Sequence, residues 1–153
     1  MLIYNINRSN ALPVASQDFL SISGNATRSY GVLEIDAEGA GTASAYTEMG
    51  IYRVSAVGTT GGGAITPVPV NVAQPAFGGV VNTTWSVQPT VSGLIQIIPI
   101  NSNGQRYFWR AMPNLSNAIW SPGGGTAAAA AQMAVRPITI SGNTSVRIQI
   151  CEI

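Results

Sequence analysis

Residues 144–150 read Thr144-Ser145-Val146-Arg147-Ile148-Gln149-Ile150. Apolar and polar residues alternate with a period of two, and successive side chains of an extended strand point to opposite faces. Val146, Ile148 and Ile150 therefore share one face, which needs a core, while Ser145, Arg147 and Gln149 look outward. The stretch predicts a half-buried strand near the end of the sequence.

The same rhythm returns upstream. Val81, Thr83, Trp85 and Val87 alternate with Asn82, Thr84, Ser86 and Gln88, and Leu33 and Ile35 alternate with Glu34 and Asp36. Further strands are expected near residues 2–6, 19–23, 49–57, 106–112 and 137–140. Turn formers such as Ser23-Gly24-Asn25, Asn101-Ser102-Asn103-Gly104 and Ser141-Gly142-Asn143 lie between them. The pattern predicts an all-β protein of about eight short antiparallel strands with little helix, folded as one β-sandwich or jelly-roll domain over residues 1–153. Residues 94–100, Leu-Ile-Gln-Ile-Ile-Pro-Ile, are apolar on both faces. They belong either inside the fold or in a subunit contact, and Pro99 points to a sheet edge because proline has no N–H to donate. One helix candidate exists, the alanine-rich run 126–134, for which a helical turn and an extended loop are both open readings.

A length of 153 residues suits one core. Only 8% of residues are charged, against roughly 25% in ordinary soluble domains. Pro, Gly, Asn, Ser or Arg interrupts every apolar run before the ~18 residues that a spanning helix needs, so no membrane partner is expected. The low charge instead suggests surface covered by other protein subunits. The start, Met1-Leu2-Ile3-Tyr4-Asn5-Ile6-Asn7-Arg8, reads as a strand and not as a targeting segment. Cys151 reads as a buried thiol, and the Asn-x-Ser/Thr triplets beginning at Asn25, Asn82, Asn114 and Asn143 read as turns.

All seven basic residues are arginine, set against six acidic ones, and they are dispersed from Arg8 to Arg147. Without a dense positive face, nucleic acid is not an expected partner. The absence of histidine rules out Ser-His-Asp and Cys-His catalysis and imidazole-built zinc sites, and the absence of lysine rules out Schiff bases and the P-loop. Gly61-Gly62-Gly63 and Gly123-Gly124-Gly125 fit no phosphate-binding pattern.

Two constellations have a chemical and a plain reading. Glu34, Asp36 and Glu38 fall on one strand face and could bind calcium or serve glycoside hydrolysis. The plainer expectation is a solvated face partly paired with arginine from a neighbouring strand. Arg106-Tyr107-Phe108-Trp109-Arg110 could stack on bases or sugars. Alternation instead sets Tyr107 and Trp109 on one face, for packing, and Arg106, Phe108 and Arg110 on the other. Trp120 is expected at the base of a loop. The run 58–70, Gly-Thr-Thr-Gly-Gly-Gly-Ala-Ile-Thr-Pro-Val-Pro-Val, is either a docking arm laid along a neighbour or an ordinary surface loop.

The order of features resembles a group of small tailed-bacteriophage virion proteins that includes capsid decoration (cement) proteins. An amino-terminal strand precedes Ser29-Tyr30-Gly31-Val32-Leu33-Glu34-Ile35. Then come Met49-Gly50-Ile51-Tyr52-Arg53-Val54, the Gly-rich run into Thr66-Pro67-Val68-Pro69, the strand Val81-Asn82-Thr83-Thr84-Trp85 and the closing stretch 136–150. The resemblance implies a jelly-roll subunit on the outside of the virion head, partnered by further copies of itself in a homotrimer and by the phage major capsid protein. It carries over no catalytic residue, cofactor or metal. The segment 123–134 departs from the pattern. Gly61, Gly62, Gly63, Pro67, Pro69, Phe77, Ile97 and Pro99 are the candidate subunit or capsid contacts. The alternative is a head-fibre or receptor module, binding carbohydrate on Trp85, Trp109 or Trp120.

Overall fold

The computed structural model describes residues 1–24, 28–112, 119–121 and 132–153, with the backbone alone at 120 and 121. Every regular element among them is a strand: β1 (Leu2–Ala11), β2 (Leu20–Ser23), β3 (Tyr30–Ala40), β4 (Tyr46–Ala56), β5 (Thr59–Thr60), β6 (Ala64–Ile65), β7 (Val68–Pro69), β8 (Val80–Asn82), β9 (Trp85–Val87), β10 (Thr90–Asn101), β11 (Asn103–Arg110), β12 (Ile119–Ser121), β13 (Gln132–Thr139) and β14 (Thr144–Glu152). The first sheet runs β11-β3-β14-β1-β7, with β12 also on β3. The second runs β10-β4-β13-β2-β8-β6, and β5 pairs with β9 apart from both.

Eight of these strands form the body. In the orders β11-β3-β14-β1 and β10-β4-β13-β2, each place is taken by strands adjacent in sequence within that body, so that β1/β2, β3/β4, β10/β11 and β13/β14 each split between the sheets. This wiring of two antiparallel sheets is that of a jelly roll. β6, β7, β8 and β12 extend the two sheets and β5 and β9 form a separate pair, which is why the described residues hold fourteen strands where about eight are expected.

β14 follows the alternation that predicts it. It is paired on both flanks, and Val146, Ile148 and Ile150 all face inward, at most 1% exposed. Ile148 lies in register between Ile6 of β1 and Ile35 of β3, and Ile150 between Tyr4 and Val32. These rows meet Ile51, Met49, Ile98, Ile100, Ile22, Phe19 and Val135 in one core cluster. On β3 the pattern slips once. Gln149 pairs with Glu34 but Ile150 pairs with Val32, so Leu33 is the extra residue of a bulge, and Val32 joins Ile35 on the inner face.

β10 is an edge strand, as Pro99 suggests, and its two apolar faces have different fates. Ile98 and Ile100 are buried, whereas Leu94, Ile97 and Pro99 are exposed. Its crossing into β11 turns on Ser102, whose buried hydroxyl donates to the Ala43 carbonyl at 2.5 Å and accepts the Ala45 N–H at 3.0 Å. Gly39 permits that crossing, because a Cβ there would stand 2.0 Å from the Asn101 carbonyl oxygen. Of the alanine-rich run, Gln132, Met133 and Ala134 open β13, and 126–131 lie outside the described residues.

The Gly-rich stretch lies along strands of the same molecule. Thr59–Thr60 pairs with β9, Ala64–Ile65 with β8 and Val68–Pro69 with β1, so the run leads from the margin of the second sheet to that of the first. Gly62 and Gly63 have φ of 97° and 74°, the left-handed region that glycine enters freely. The Gly63 carbonyl accepts from the Thr83 N–H at 3.0 Å and its hydroxyl at 2.6 Å. Pro67 is buried, and Pro69 sits on a margin where its missing N–H costs no ladder bond.

Core, face and turn should respond differently to truncation or extension. Ile148→Ala should cost about 2–5 kcal/mol, the range for truncating a fully buried aliphatic side chain, while Ile97→Ala on the exposed face should stay within about 0.5 kcal/mol. Urea melts of the two variants read the contrast directly. Gly63→Ala should cost roughly 1–3 kcal/mol, because its Cβ would meet Thr84 Oγ1 at 2.6 Å in a left-handed backbone. A Gly63→Ala midpoint equal to wild type would show that the turn is not held as described.

Candidate functional site

The two outer faces of the sandwich differ sharply in chemistry. On the first sheet, β3 presents Glu34, Asp36 and Glu38 on one face, as the alternation predicts. Cross-strand register brings Arg110 opposite Glu34 and Arg106 opposite Glu38 from β11, with Arg147 opposite Asp36 from β14. Arg106 holds Asp36 through two bonds of 2.5 Å. Arg110 donates to Glu34 Oε2 at 2.6 and 3.0 Å, and Arg147 bridges Glu34 Oε1 at 2.9 Å and Asp36 Oδ2 at 3.2 Å. The result is an alternating row, Arg110–Glu34–Arg147–Asp36–Arg106.

Electrostatics explain why the row holds. Exposed ion pairs contribute only about 0–1 kcal/mol each, but the Glu34 side chain is 7% exposed and would be left as a buried charge if its partners were removed. The guanidinium of Arg106, hydrogen-bonded to Asp36, pulls that carboxyl below its ordinary pKa, against the opposing pull of burial. Oxygens of Glu34 and Asp36 that calcium or a hydrolytic mechanism would use are thus engaged by arginine. Among the described residues, no group of three or more His, Cys, Asp or Glu is placed to hold a metal ion.

Two further carboxylates are buried as anchors. Glu152 accepts from Arg28 at 3.0 Å and the Gly78 N–H at 3.2 Å, and lies 3.5 Å from the Tyr4 hydroxyl, which is 3.0 Å from the Pro75 carbonyl and shares its one proton between the two acceptors. These bonds fasten the 75–78 loop over the core. Asp18 is paired with Arg136 at 2.6 Å, yet burial outweighs that partner and pushes its carboxyl pKa up. Arg136 also donates to the Pro89 carbonyl at 2.9 Å.

The outer face of the second sheet is largely apolar. Register places Leu94 opposite Tyr52, Ile97 opposite Gly50, Pro99 opposite Glu48 and Asn101 opposite Tyr46, all on the outward side of β4. Leu94, Ile97 and Tyr46 are 47%, 41% and 56% exposed, and Ile138 of β13 joins them. Leu94 and Tyr52 close over Gly50, where a Cβ would lie 2.7 Å from either side chain. Among the described residues, the charged groups assigned to this face by register are Glu48, which accepts the Tyr46 hydroxyl at 2.9 Å, and the tethered Arg136.

The expected contact residues therefore fall in three places. Ile97 and Pro99 share the apolar face. Gly61, Gly62 and Gly63 form the turn at the opposite margin of that sheet, and Pro69 follows on the margin of the first sheet, whereas Pro67 between them is buried and needs correction as an exposed contact. Phe77 needs correction as a surface residue: its ring is buried against Tyr4 and Tyr30, with centroids 5.5 and 6.2 Å away, because the Glu152 anchor folds its loop inward. Tyr46, Tyr52, Leu94 and Ile138 complete the apolar face, although sequence reasoning does not single them out as contacts. For Leu94 a signal exists in the two-faced apolar run, whereas membership of Tyr46 and Tyr52 depends on strand register.

Among the described residues, Trp85 and Trp109 form no shared surface platform. Trp85 is buried, and Trp109 turns inward with Tyr107 to pack on the core, leaving Arg106, Phe108 and Arg110 outside as the alternation predicts. The side chain of Trp120 lies outside the described residues. Cys151 is buried, and its burial raises the thiol pKa.

The sequence matches no protein-family model and no curated protein, and the fold matches no solved structure.

The arginine–carboxylate row makes a pH prediction whose sign is fixed by the lowered Asp36 pKa. A carboxyl with a folded pKa below its unfolded value, about 3.9, stabilises the fold above that value and loses its contribution as pH falls through the folded pKa. Asp36→Asn should therefore have a lower urea midpoint than wild type near neutrality, and the gap should close in strong acid. A gap independent of pH would show that Asp36 acts through packing alone.

Proposed function

We propose that this protein is a structural virion subunit, a capsid decoration (cement) protein that binds the outside of a phage head and stabilises contacts between capsomers. The observation that carries the reading is the apolar outer face of the second sheet, formed by Leu94, Ile97, Pro99, Tyr46, Tyr52 and Ile138, in a protein with 8% charged residues. An exposed apolar sheet face marks a surface that meets another protein. The order of sequence features supports a phage setting, while the jelly roll alone assigns no role, since this architecture hosts many functions.

In this reading the subunit works by contact. Many copies of a modest apolar interface, arrayed on a symmetric shell, add up to strong avidity without chemistry. The major capsid protein is the partner of the apolar face, and a homotrimer sets the copies in place. The ionic row of the first sheet faces solvent. The carbohydrate-binding alternative has less support, because Trp85 is buried and Trp109 is partly buried against the core.

Leu94→Asp combined with Ile97→Asp should leave the melting temperature near wild type and abolish decoration of heads that lack the native protein. Each apolar side chain fully buried in an interface contributes roughly 1.5–3 kcal/mol, so affinity per site should fall at least about tenfold. Sedimentation with purified heads measures it. Retention of the folded double variant on heads, or a copy number in virions of only a few at the tail, would overturn the proposal.

A further inference from the structure

Asn103-Gly104 is the one Asn-Gly pair in the sequence, and it sits where the backbone passes from one sheet to the other, directly after the buried Ser102. Both residues are exposed. Gly104 has φ of 78°, nothing lies within 4 Å of where its Cβ would be, and it has no side chain of its own to crowd the peptide that follows Asn103. The surrounding carboxamides are held. Asn101 donates to Ser44 Oγ at 2.8 Å and accepts the Asn103 N–H at 2.9 Å, and Asn143 donates to Asn10 Oδ1 at 2.9 Å. The Asn103 carboxamide makes no hydrogen bond among the described residues and is free to rotate toward the next peptide group.

We propose that Asn103 is a site of spontaneous covalent modification, deamidation through a cyclic imide formed with Gly104. Solvent base removes the Gly104 amide proton, and that nitrogen attacks the carbonyl carbon of the Asn103 carboxamide. A new bond between that nitrogen and that carbon closes the five-membered ring, the bond from the same carbon to Nδ2 breaks, and ammonia departs with a proton from solvent. Water then opens the ring at either carbonyl, giving aspartate or isoaspartate, with no oxidation or reduction. The formal net charge falls by one, from +1 to zero. The isoaspartyl product adds a methylene to the backbone where Asn103 pairs with Ala40, and so loosens the start of β11.

The test is to age the purified folded protein at mildly alkaline pH and map the peptide containing residue 103 by mass spectrometry. The expected result is a gain of about one dalton at Asn103 ahead of every other asparagine, isoaspartate detected by enzymatic methylation, and loss of both signals in Asn103→Gln. A folded protein that keeps its Asn103 carboxamide while the urea-unfolded form loses it would show that the turn protects the site, and the proposal would fall. It would fall equally if neither form reacted, or if another asparagine of the folded protein reacted first.

Discussion

The hydrogen-bonding of β14 on both flanks is the constraint from which the rest of the molecule follows. A strand at an edge tolerates slippage, but one paired with β1 and β3 together cannot shift by a residue without turning Val146, Ile148 and Ile150 outward and Arg147 into the core. Its register aligns Ile6, Ile148 and Ile35 across three strands. It also sets Arg147 between the carboxylates of β3, so the core and the ionic face are two sides of one pairing.

That coupling explains a composition that looks odd in isolation. The few charges of the first sheet are set in alternating pairs, and arginine suits this better than lysine because its planar fork meets a carboxylate with two donors. Arg106 engages both oxygens of Asp36, and Arg147 divides itself between two acids. Glu152 and Asp18 serve differently, as buried anchors that hold a loop over the core and the 12–18 segment against β13. The second sheet has no comparable set of charges outside among the described residues, which is why its outer face stays apolar.

Legibility in the sequence follows the range of the interactions. The strand 144–150 is readable because period-two alternation is local, and the edge position of β10 is readable because a missing N–H in Pro99 is local too. The inward turn of Tyr107 and Trp109 belongs to the same category. The bulge at Leu33 is not readable, since it exists only relative to Gln149 and Ile150 on another strand. Phe77 lies in a stretch with no periodicity, and its burial depends on Glu152, far away in sequence. The Gly-rich run shows its need for a left-handed turn but not its partner, because Thr83 becomes a neighbour only once β8 is in place. The apolar face is half visible, as Leu94 and Ile97, while Tyr46 and Tyr52 need the β4 register.

The margins of the sandwich bear on how such a molecule could meet a neighbour. A long free strand edge invites another polypeptide to pair with it, and β10 is twelve residues of edge. Its ladder with β4 is interrupted at three places, and Pro99 offers no donor, so it is a poor template for a flat added strand. The other long edge, β11, carries Arg106 and Arg110, and the margins formed by β6 and β7 are two residues each. With the edges blunted in this way, backbone pairing is the disfavoured mode of association. The pleated outer surface of the second sheet is left as the area where apolar side chains can be removed from water, and this is why the proposed contact is assigned to a face and not to an edge.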